Sequence, residues 1–236
     1  MRPLSVTELL DVWDHGQAQP PVQRALLLLA AACPDTPVDA LATFSIGRRD
    51  AHLLTLREWT FGRHMAGTAT CPSCGERLEL TLDVETIRMA SEPDPAAQRT
   101  FDINGYRVPF HLPSSEDVAD LVQTEDPLCA RRQLLDRCIE HGEPPLPDSV
   151  LDAVAQRMAE LDPQADVQLA LQCPSCSHTW RGPFDIATFF WGEINAWAVR
   201  ILREVHTLAT AYGWSESDIL AMSAQRRQVY LDMVCA

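Results

Sequence analysis

Lysine is absent from this chain of 236 residues, so all 19 of its basic side chains are arginines. The 33 aspartates and glutamates outnumber them and give a formal net charge of -14 at pH 7. Proteins bind nucleic acids mainly through clustered cations, so this composition disfavours a nucleic-acid partner. The arginine pairs Arg48-Arg49, Arg131-Arg132 and Arg226-Arg227 have acidic neighbours, which predicts solvated helix faces with ion pairs.

Long apolar runs are also missing. The longest, residues 25–33, is about half of the roughly 18 residues that a membrane-spanning helix requires. The chain begins Met1-Arg2-Pro3-Leu4-Ser5 with no long apolar signal core after it, which favours a cytoplasmic protein without disulfide bonds. Because 46% of the residues are hydrophobic, the chain can bury a sizeable core, and we expect a soluble globular protein.

The common catalytic motifs are not found either. The sequence has no His-Glu-x-x-His helix, no Gly-x-Ser-x-Gly elbow and no phosphate-binding glycine-rich loop. Its seven histidines are scattered along the chain. We therefore expect a protein that is not an enzyme.

The sequence does contain two identical tetrapeptides, Cys-Pro-Ser-Cys, which we call the knuckles. They place thiols at Cys71, Cys74, Cys173 and Cys176. Two intervening residues allow a tight turn to present both sulfurs of a pair to one ion, and four thiolates complete a tetrahedral zinc site. Such a closed shell leaves no coordination position for a water, so we predict one structural zinc ion rather than a catalytic one.

The surroundings of these cysteines bear on two other functions. A thioredoxin-like redox motif would stand once, at the start of a helix, whereas both knuckles adjoin strand-like alternation at residues 78–82 and 167–171. Two half-sites that join different subunits remain an alternative to one shared site. His178 lies two residues after the second knuckle, and we expect it outside the ligand shell because a Cys-Ser-His spacing is cramped.

The remaining cysteines carry less information. Cys33, Cys129 and Cys138 lie in or beside apolar helical segments and are predicted to be buried free thiols. Cys235 is next to the last residue and supports no prediction.

The hydropathy pattern predicts a mainly helical α+β protein with a small zinc ribbon and a C-terminal helical bundle. We expect N-terminal helices over residues 1–70, one of them opened by Asp50 as N-cap, and a zinc ribbon formed by residues 71–90 and 165–185. Residues 91–164 are expected to be an insert of helices and a hairpin, with a loop at 91–95 and an Asn104-Gly105 turn.

C-terminal helices are predicted over residues 186–236. A long apolar stripe runs to Tyr212 and stops at Gly213. Trp197 and Tyr212 lie on that stripe and are expected in the core. Trp214 lies off it, between the glycine and a helix start at Ser215, so we predict that it is exposed and binds a partner together with Tyr230.

Several segments in a fixed order resemble a known family. They are Ile46-Gly47-Arg48-Arg49-Asp50 with the leucine-rich helix, the first knuckle, the 101–110 hairpin, the second knuckle with Phe184-Asp185-Ile186, and Leu208-Ala209-Thr210-Ala211-Tyr212-Gly213-Trp214-Ser215-Glu216. In these segments the chain is similar to the baseplate hub assembly chaperones of T-even-type contractile-tailed phages and their relatives in extracellular contractile injection systems.

The resemblance implies a non-enzymatic part in building a baseplate, as a transient chaperone of hub or spike proteins or as a retained minor component. Two other functions compete with it. A zinc-ribbon adaptor of a nucleic-acid machine would need a basic stripe on the ribbon, where Arg77 and Arg181 are among few cations. A thiol redox protein would need one reactive, dispensable cysteine.

Overall fold

The computed structural model describes residues 1–89, 99–119, 121, 126–140 and 146–235. Within these ranges the chain forms a mixed α+β fold that is mainly helical, as predicted. The helices are α1 (Val6–Gly16), α2 (Pro21–Ala32), α3 (Val38–Ala42), α4 (Ile46–Phe61), α5 (Val84–Ile87), α6 (Ser115–Ala119), α7 (Pro127–Cys138), α8 (Asp148–Leu161), α9 (Ile186–Tyr212), α10 (Glu216–Leu220) and α11 (Ala224–Cys235). The strands are β1 (His64–Thr70), β2 (Arg77–Asp83), β3 (Arg99–Ile103), β4 (Tyr106–Phe110), β5 (Val167–Gln172) and β6 (Thr179–Phe184).

The largest apolar core lies where α1, α2, α4 and the first half of α9 meet. Leu28 and Leu29 of α2, Leu53 and Leu54 of α4 and Ile194 of α9 are fully buried there. Each of these helices has a wide apolar face, and neighbouring helices cover that face, as is usual for helices that pack around a core. Met65 of β1 and Val167 of β5 are part of this core, so both knuckle hairpins are anchored to it.

Helix α4 begins earlier than the sequence predicted. Its N-cap is Ser45, whose hydroxyl accepts a hydrogen bond from the backbone N–H of Arg48. Asp50 is therefore not the cap: it lies inside the helix, is buried, and pairs with Arg49 at 2.8 Å. The prediction chose the wrong residue because Asp and Ser are both strong N-caps. The sequence alone does not show at which of them the helix begins.

The three sheets are separate antiparallel hairpins, β1–β2, β3–β4 and β5–β6. The predicted Asn104-Gly105 turn joins β3 to β4, with both residues at positive φ as a type I′ turn requires. This hairpin packs with α7 and α8 around a second apolar core that includes Phe110, Leu135 and Val154.

Residues 64–70 are a strand, which corrects the prediction of helices over the whole of 1–70. Strand β1 pairs in full register with β2, from His64 opposite Asp83 to Thr70 opposite Arg77. Its residues after Met65 are small and give no clear apolar alternation, and Met65 is the only residue of the strand that is fully buried. The predicted ribbon is thus two knuckle hairpins, and no strand pairing joins one to the other.

The predicted C-terminal helices are present. Helix α9 ends at Gly213, whose φ of 68° lies in the left-handed region, and Ser215 caps α10 through the N–H of Asp218. The second half of α9 packs with α10 and α11 around a third core that includes Ile201, Leu208 and Ile219. The loop predicted at residues 91–95 lies outside the described residues.

A close backbone approach joins α4 to the chain before β5. Asp162 is buried, and its Oδ2 accepts a hydrogen bond of 2.9 Å from the N–H of Gly47 in the first turn of α4. A carboxylate at a helix N-terminus is electrostatically favourable. A Cβ on Gly47 would lie 1.9 Å from Asp162 Oδ1 and 2.9 Å from the backbone nitrogen of Ala165.

This approach makes Gly47→Ala a destabilising change, although alanine favours helices. We expect a loss of about 1–3 kcal/mol, since the new methyl group displaces a buried carboxylate and backbone. The matched control is Gly192→Ala in α9, where an added Cβ would have no atom from outside its own stretch of helix backbone within 4 Å. Helix propensity predicts a gain of about 0.5–1 kcal/mol for that variant. Urea denaturation of both variants checks the opposite signs, and two shifts of the same sign would contradict this packing.

Candidate metal centre

The two knuckles come together although about 100 residues separate them in sequence. The ligand atoms of Cys71, Cys74, Cys173 and Cys176 all lie within 4.8 Å of one another. Cys71 Sγ is 3.7 Å from Cys176 Sγ, and Cys74 Sγ is 3.6 Å from Cys173 Sγ. The structure therefore brings the four predicted thiols together in one cluster, which is a possible metal site.

These distances suit a metal tetrahedron and not disulfide bonds. Disulfide sulfurs lie about 2.05 Å apart. A zinc ion with four Zn–S bonds of about 2.3 Å has sulfur–sulfur edges of about 3.8 Å, and both measured cross-hairpin distances are close to that value. The four residues thus fit a tetrahedral four-thiolate shell.

Both knuckles have the same local structure. In the first, Cys71 N–H donates to Glu76 O at 2.8 Å and Gly75 N–H donates to Cys71 O at 2.9 Å. In the second, the corresponding bonds run from Cys173 to His178 O and from Ser177 to Cys173 O, both at 2.9 Å. These bonds fix the backbone of both turns, and the sulfurs of each pair converge on the same cluster.

The residue after each second cysteine adopts a left-handed conformation. Gly75 has φ 77° and Ser177 has φ 60°. Glycine takes this conformation without a steric cost, whereas serine does so at a cost of about 1–2 kcal/mol. The second knuckle therefore holds the more strained turn, and the fold around it has to stabilise that turn.

The two hairpins are related by an approximate twofold exchange at the cluster. The first cysteine of each knuckle is buried, and the second is exposed and contacts the first cysteine of the other knuckle. Leu78, Leu80 and Trp180 pack against the buried pair. This small apolar layer excludes water from the inner side of the cluster.

The pKa values of two thiols in the cluster are shifted in opposite directions. Burial raises the pKa of Cys173, but hydrogen bonds with the backbone of Cys176 and Ser175 and with the neighbouring thiols lower it to about 7. A hydrogen bond with the Glu76 backbone lowers the pKa of Cys74, yet its contacts with Cys176, Cys173 and Cys71 raise it to about 12. A thiolate therefore forms more readily at Cys173 than at Cys74, and a dication bound by the cluster would stabilise the thiolate form of both.

His178 lies beside this cluster. Its side chain is stacked on Trp180, with ring centroids 6.0 Å apart and an angle of 16° between the ring planes. It is not among the residues whose ligand atoms converge on the cluster. Its backbone carbonyl, which accepts the Cys173 N–H, closes the second turn.

The other described cysteines do not extend the cluster. Cys33 and Cys138 are buried, as predicted. Cys129 is exposed, so the prediction of a buried thiol is wrong there. The predicted burial was based on Leu134 and Leu135. These residues lie more than one helical turn after Cys129 and pack in the second core.

The predicted partner-binding residues form an aromatic cluster at the end of α9. The ring centroids of Tyr212 and Trp214 are 4.5 Å apart, and Tyr230 lies 4.9 Å from Trp214 and 5.7 Å from Tyr212. Trp214 is half-buried on the third core, whereas Tyr212 is 38% exposed. Tyr212 is therefore more exposed than Trp214, the opposite of the prediction. Tyr212 lies in the last turn of α9, beyond Leu208, which α10 and α11 cover.

Sequence patterns missed the arginine that connects the start of hairpin β1–β2 to helices α4 and α9. Arg57 of α4 is 2% exposed, and its guanidinium donates to both carboxylate oxygens of Glu193 on α9, at 2.8 and 2.6 Å. It also donates to the carbonyls of Gly62 and His64, where β1 begins. A buried arginine leaves no periodic signal, and 136 residues separate the two charges.

Together the fold and the site define a mainly helical α+β protein with a four-cysteine cluster between two hairpins. A family model described as "T4 bacteriophage base plate protein" matches residues 2–141, more than half of the chain. The chain belongs to this family. The match includes the first knuckle and ends before the second.

Searches of curated proteins and of solved structures found no significant match. In the described part of the chain, no helix combines the length and the apolar character that crossing a membrane requires.

Proposed function

We propose that this protein is a non-enzymatic, zinc-stabilised assembly factor or minor component of the baseplate of a contractile phage tail-like particle. It acts in the cytoplasm, where such a particle is assembled, and it binds hub or spike proteins of the baseplate. The observation that carries the proposal is the baseplate family match over residues 2–141. The resemblance to hub assembly chaperones, which includes both knuckles and residues 208–216, supports the finer role.

The zinc ion is proposed as a structural staple. All four sulfurs are supplied by the chain, so the shell has no open position for a substrate or an activated water. The staple joins hairpin β1–β2, which leaves α4, to hairpin β5–β6, which enters α9. Coordination worth roughly 10 kcal/mol or more outweighs the few kcal/mol of chain entropy that closing so long a loop costs.

The partner surface is proposed at the aromatic end of the C-terminal helices. The last helix, which carries Tyr230, also has exposed apolar side chains: Val229 and Met233 are 48% and 62% exposed. They lie four residues apart and so share one face of α11. Aromatic and methionine side chains in such a patch are frequent anchors of protein interfaces.

Deleting the gene tests the assembly role. If the proposal holds, sheath and tube proteins are still expressed, but the yield of complete baseplates falls severalfold when particles are counted by electron microscopy. A copy of the gene supplied in trans should restore the yield. Normal particle numbers in the deletion strain would refute the assembly role.

Two variants test the partner surface. Tyr212→Ala removes an exposed ring, and Trp214→Ala removes the ring that supports it, so both should weaken capture of hub or spike proteins by about tenfold. The matched control is Trp59→Ala, which removes a 46% exposed tryptophan from α4. Capture that is unchanged by Tyr212→Ala, in a protein with normal helix content, would place the interface elsewhere.

A further inference from the structure

A second group of metal-ligating side chains lies outside the four-cysteine cluster. The ligand atoms of His111, Asp117 and Cys138 lie within 4.8 Å of one another. They come from three separate segments: the chain after β4, helix α6 and the end of α7. The segments differ in structure, so their convergence does not follow from a single helix or turn.

Backbone contacts fix His111 and Cys138 next to each other. The N–H of His111 donates to the carbonyl of Cys138 at 2.9 Å, and Phe110 and Ile139 form an isolated antiparallel bridge beside them. The thiol of Cys138 is buried, and the side chain of His111 is 40% exposed. An ion can therefore approach from the histidine side and meet the sulfur at the bottom of the group.

Asp117 presents one oxygen to this group. Its Oδ2 accepts hydrogen bonds from the Ser114 backbone N–H at 2.8 Å and from the Ser114 hydroxyl at 2.6 Å. Arg137, the neighbour of Cys138, donates to the Asp117 carbonyl at 2.8 Å. These bonds orient the carboxylate so that Oδ1 lies 3.4 Å from Nε2 of His111.

That distance is long for a direct hydrogen bond and suits two ligands of one ion. A charge-assisted hydrogen bond between an imidazolium and a carboxylate measures about 2.7–2.9 Å. Two ligands bound to one tetrahedral zinc at about 2.05 Å lie about 3.3–3.4 Å apart. A nitrogen, an oxygen and a sulfur donor together suit a borderline divalent ion such as Zn²⁺ or Co²⁺ better than Mg²⁺ or Ca²⁺, which prefer oxygen ligands.

We propose that His111, Asp117 and Cys138 bind a second divalent transition-metal ion, independent of the four-cysteine cluster. On binding, the Cys138 thiol releases its proton to solvent and its sulfur coordinates the ion, together with Nε2 of His111 and Oδ1 of Asp117. Three protein ligands leave a fourth position to a water molecule. With fewer ligands and more solvent exposure than the cluster, this site is expected to bind its ion more weakly.

Zinc content under buffered free zinc tests the proposal on the full-length protein. Reduced wild-type protein and the variants His111→Asn and Cys138→Ala are equilibrated with the same free zinc and measured by elemental analysis. The wild type should hold about one equivalent more than either variant. X-ray absorption should then count about 2.5 sulfurs per zinc in the wild type and about four in the variants, because the second site supplies a single sulfur.

The controls are Glu116→Gln, which changes an exposed acidic residue next to Asp117, and Cys129→Ala, which removes an exposed thiol from the same helix as Cys138. Both should keep the wild-type zinc content. Equal zinc content in the wild type, His111→Asn and Cys138→Ala would overturn the proposal. The test depends on the difference between proteins, so it decides the second site whether or not the four-cysteine cluster is filled.

Discussion

Cys173→Ser is expected to lose the structural zinc and to unfold far below the temperature of the wild-type protein. Serine is a poor zinc ligand, and its loss from a closed shell releases hairpin β5–β6 from hairpin β1–β2. Structural zinc sites contribute on the order of 10 kcal/mol, so a loss of about 5 kcal/mol after partial relaxation is a reasonable expectation. For a chain of this size that loss lowers the melting temperature by about 10–20 °C.

The control for this variant is Cys33→Ser, which makes the same chemical change at a buried thiol outside the cluster. It should cost only about 1–3 kcal/mol, the penalty for burying a hydroxyl group without a partner. In the background of His111→Asn, which removes the proposed second site, a chelator should destabilise the parent protein and Cys33→Ser while leaving Cys173→Ser unchanged. Equal melting temperatures for the two serine variants would count against a structural metal.

The second large effect is expected at Arg57. Arg57→Met should lower the free energy of unfolding by about 3–5 kcal/mol, because breaking a buried ion pair removes its Coulomb energy and leaves polar partners unpaired. Methionine fills similar space, but Glu193 and the carbonyls of Gly62 and His64 lose their donor. Since these contacts join α4, β1 and α9, we also expect lower zinc affinity in this variant.

The matched variant is Arg131→Met on α7. Arg131 also pairs with a single carboxylate, Asp152, at 2.7 Å, but its side chain is 49% exposed. Exposed ion pairs contribute at most about 1 kcal/mol, so this variant should remain near the wild type in guanidinium denaturation. Similar losses for Arg57→Met and Arg131→Met would show that burial of the Arg57–Glu193 pair has no special role.

Local chemistry made much of this fold predictable. The four-cysteine cluster follows from duplicated spacing, the β3–β4 hairpin from Asn104-Gly105, and the end of α9 from Gly213. For the β3–β4 turn and the end of α9, a few neighbouring residues determine the local structure. The same holds for the cap at Ser215. The cluster joins residues about 100 positions apart, and its prediction used the fact that four thiolates complete one tetrahedral metal shell.

The features that were not predicted depend on distant partners. Strand β1 has little apolar alternation of its own and is defined by pairing with β2. The Arg57–Glu193 pair joins residues 136 positions apart. The apolar stripe places Tyr212 on the buried face of α9. The stripe does not show where α10 and α11 stop covering that face, so the predicted burial of Tyr212 was wrong.

We propose that the two knuckles share one tetrahedral zinc ion. Zinc K-edge X-ray absorption tests it most directly, using protein purified with reductant, without chelator, and carrying His111→Asn so that the proposed second site does not contribute. We predict about one zinc per chain with four sulfur neighbours at about 2.3 Å. A first shell with nitrogen or oxygen ligands, or protein that contains no zinc, would contradict the account.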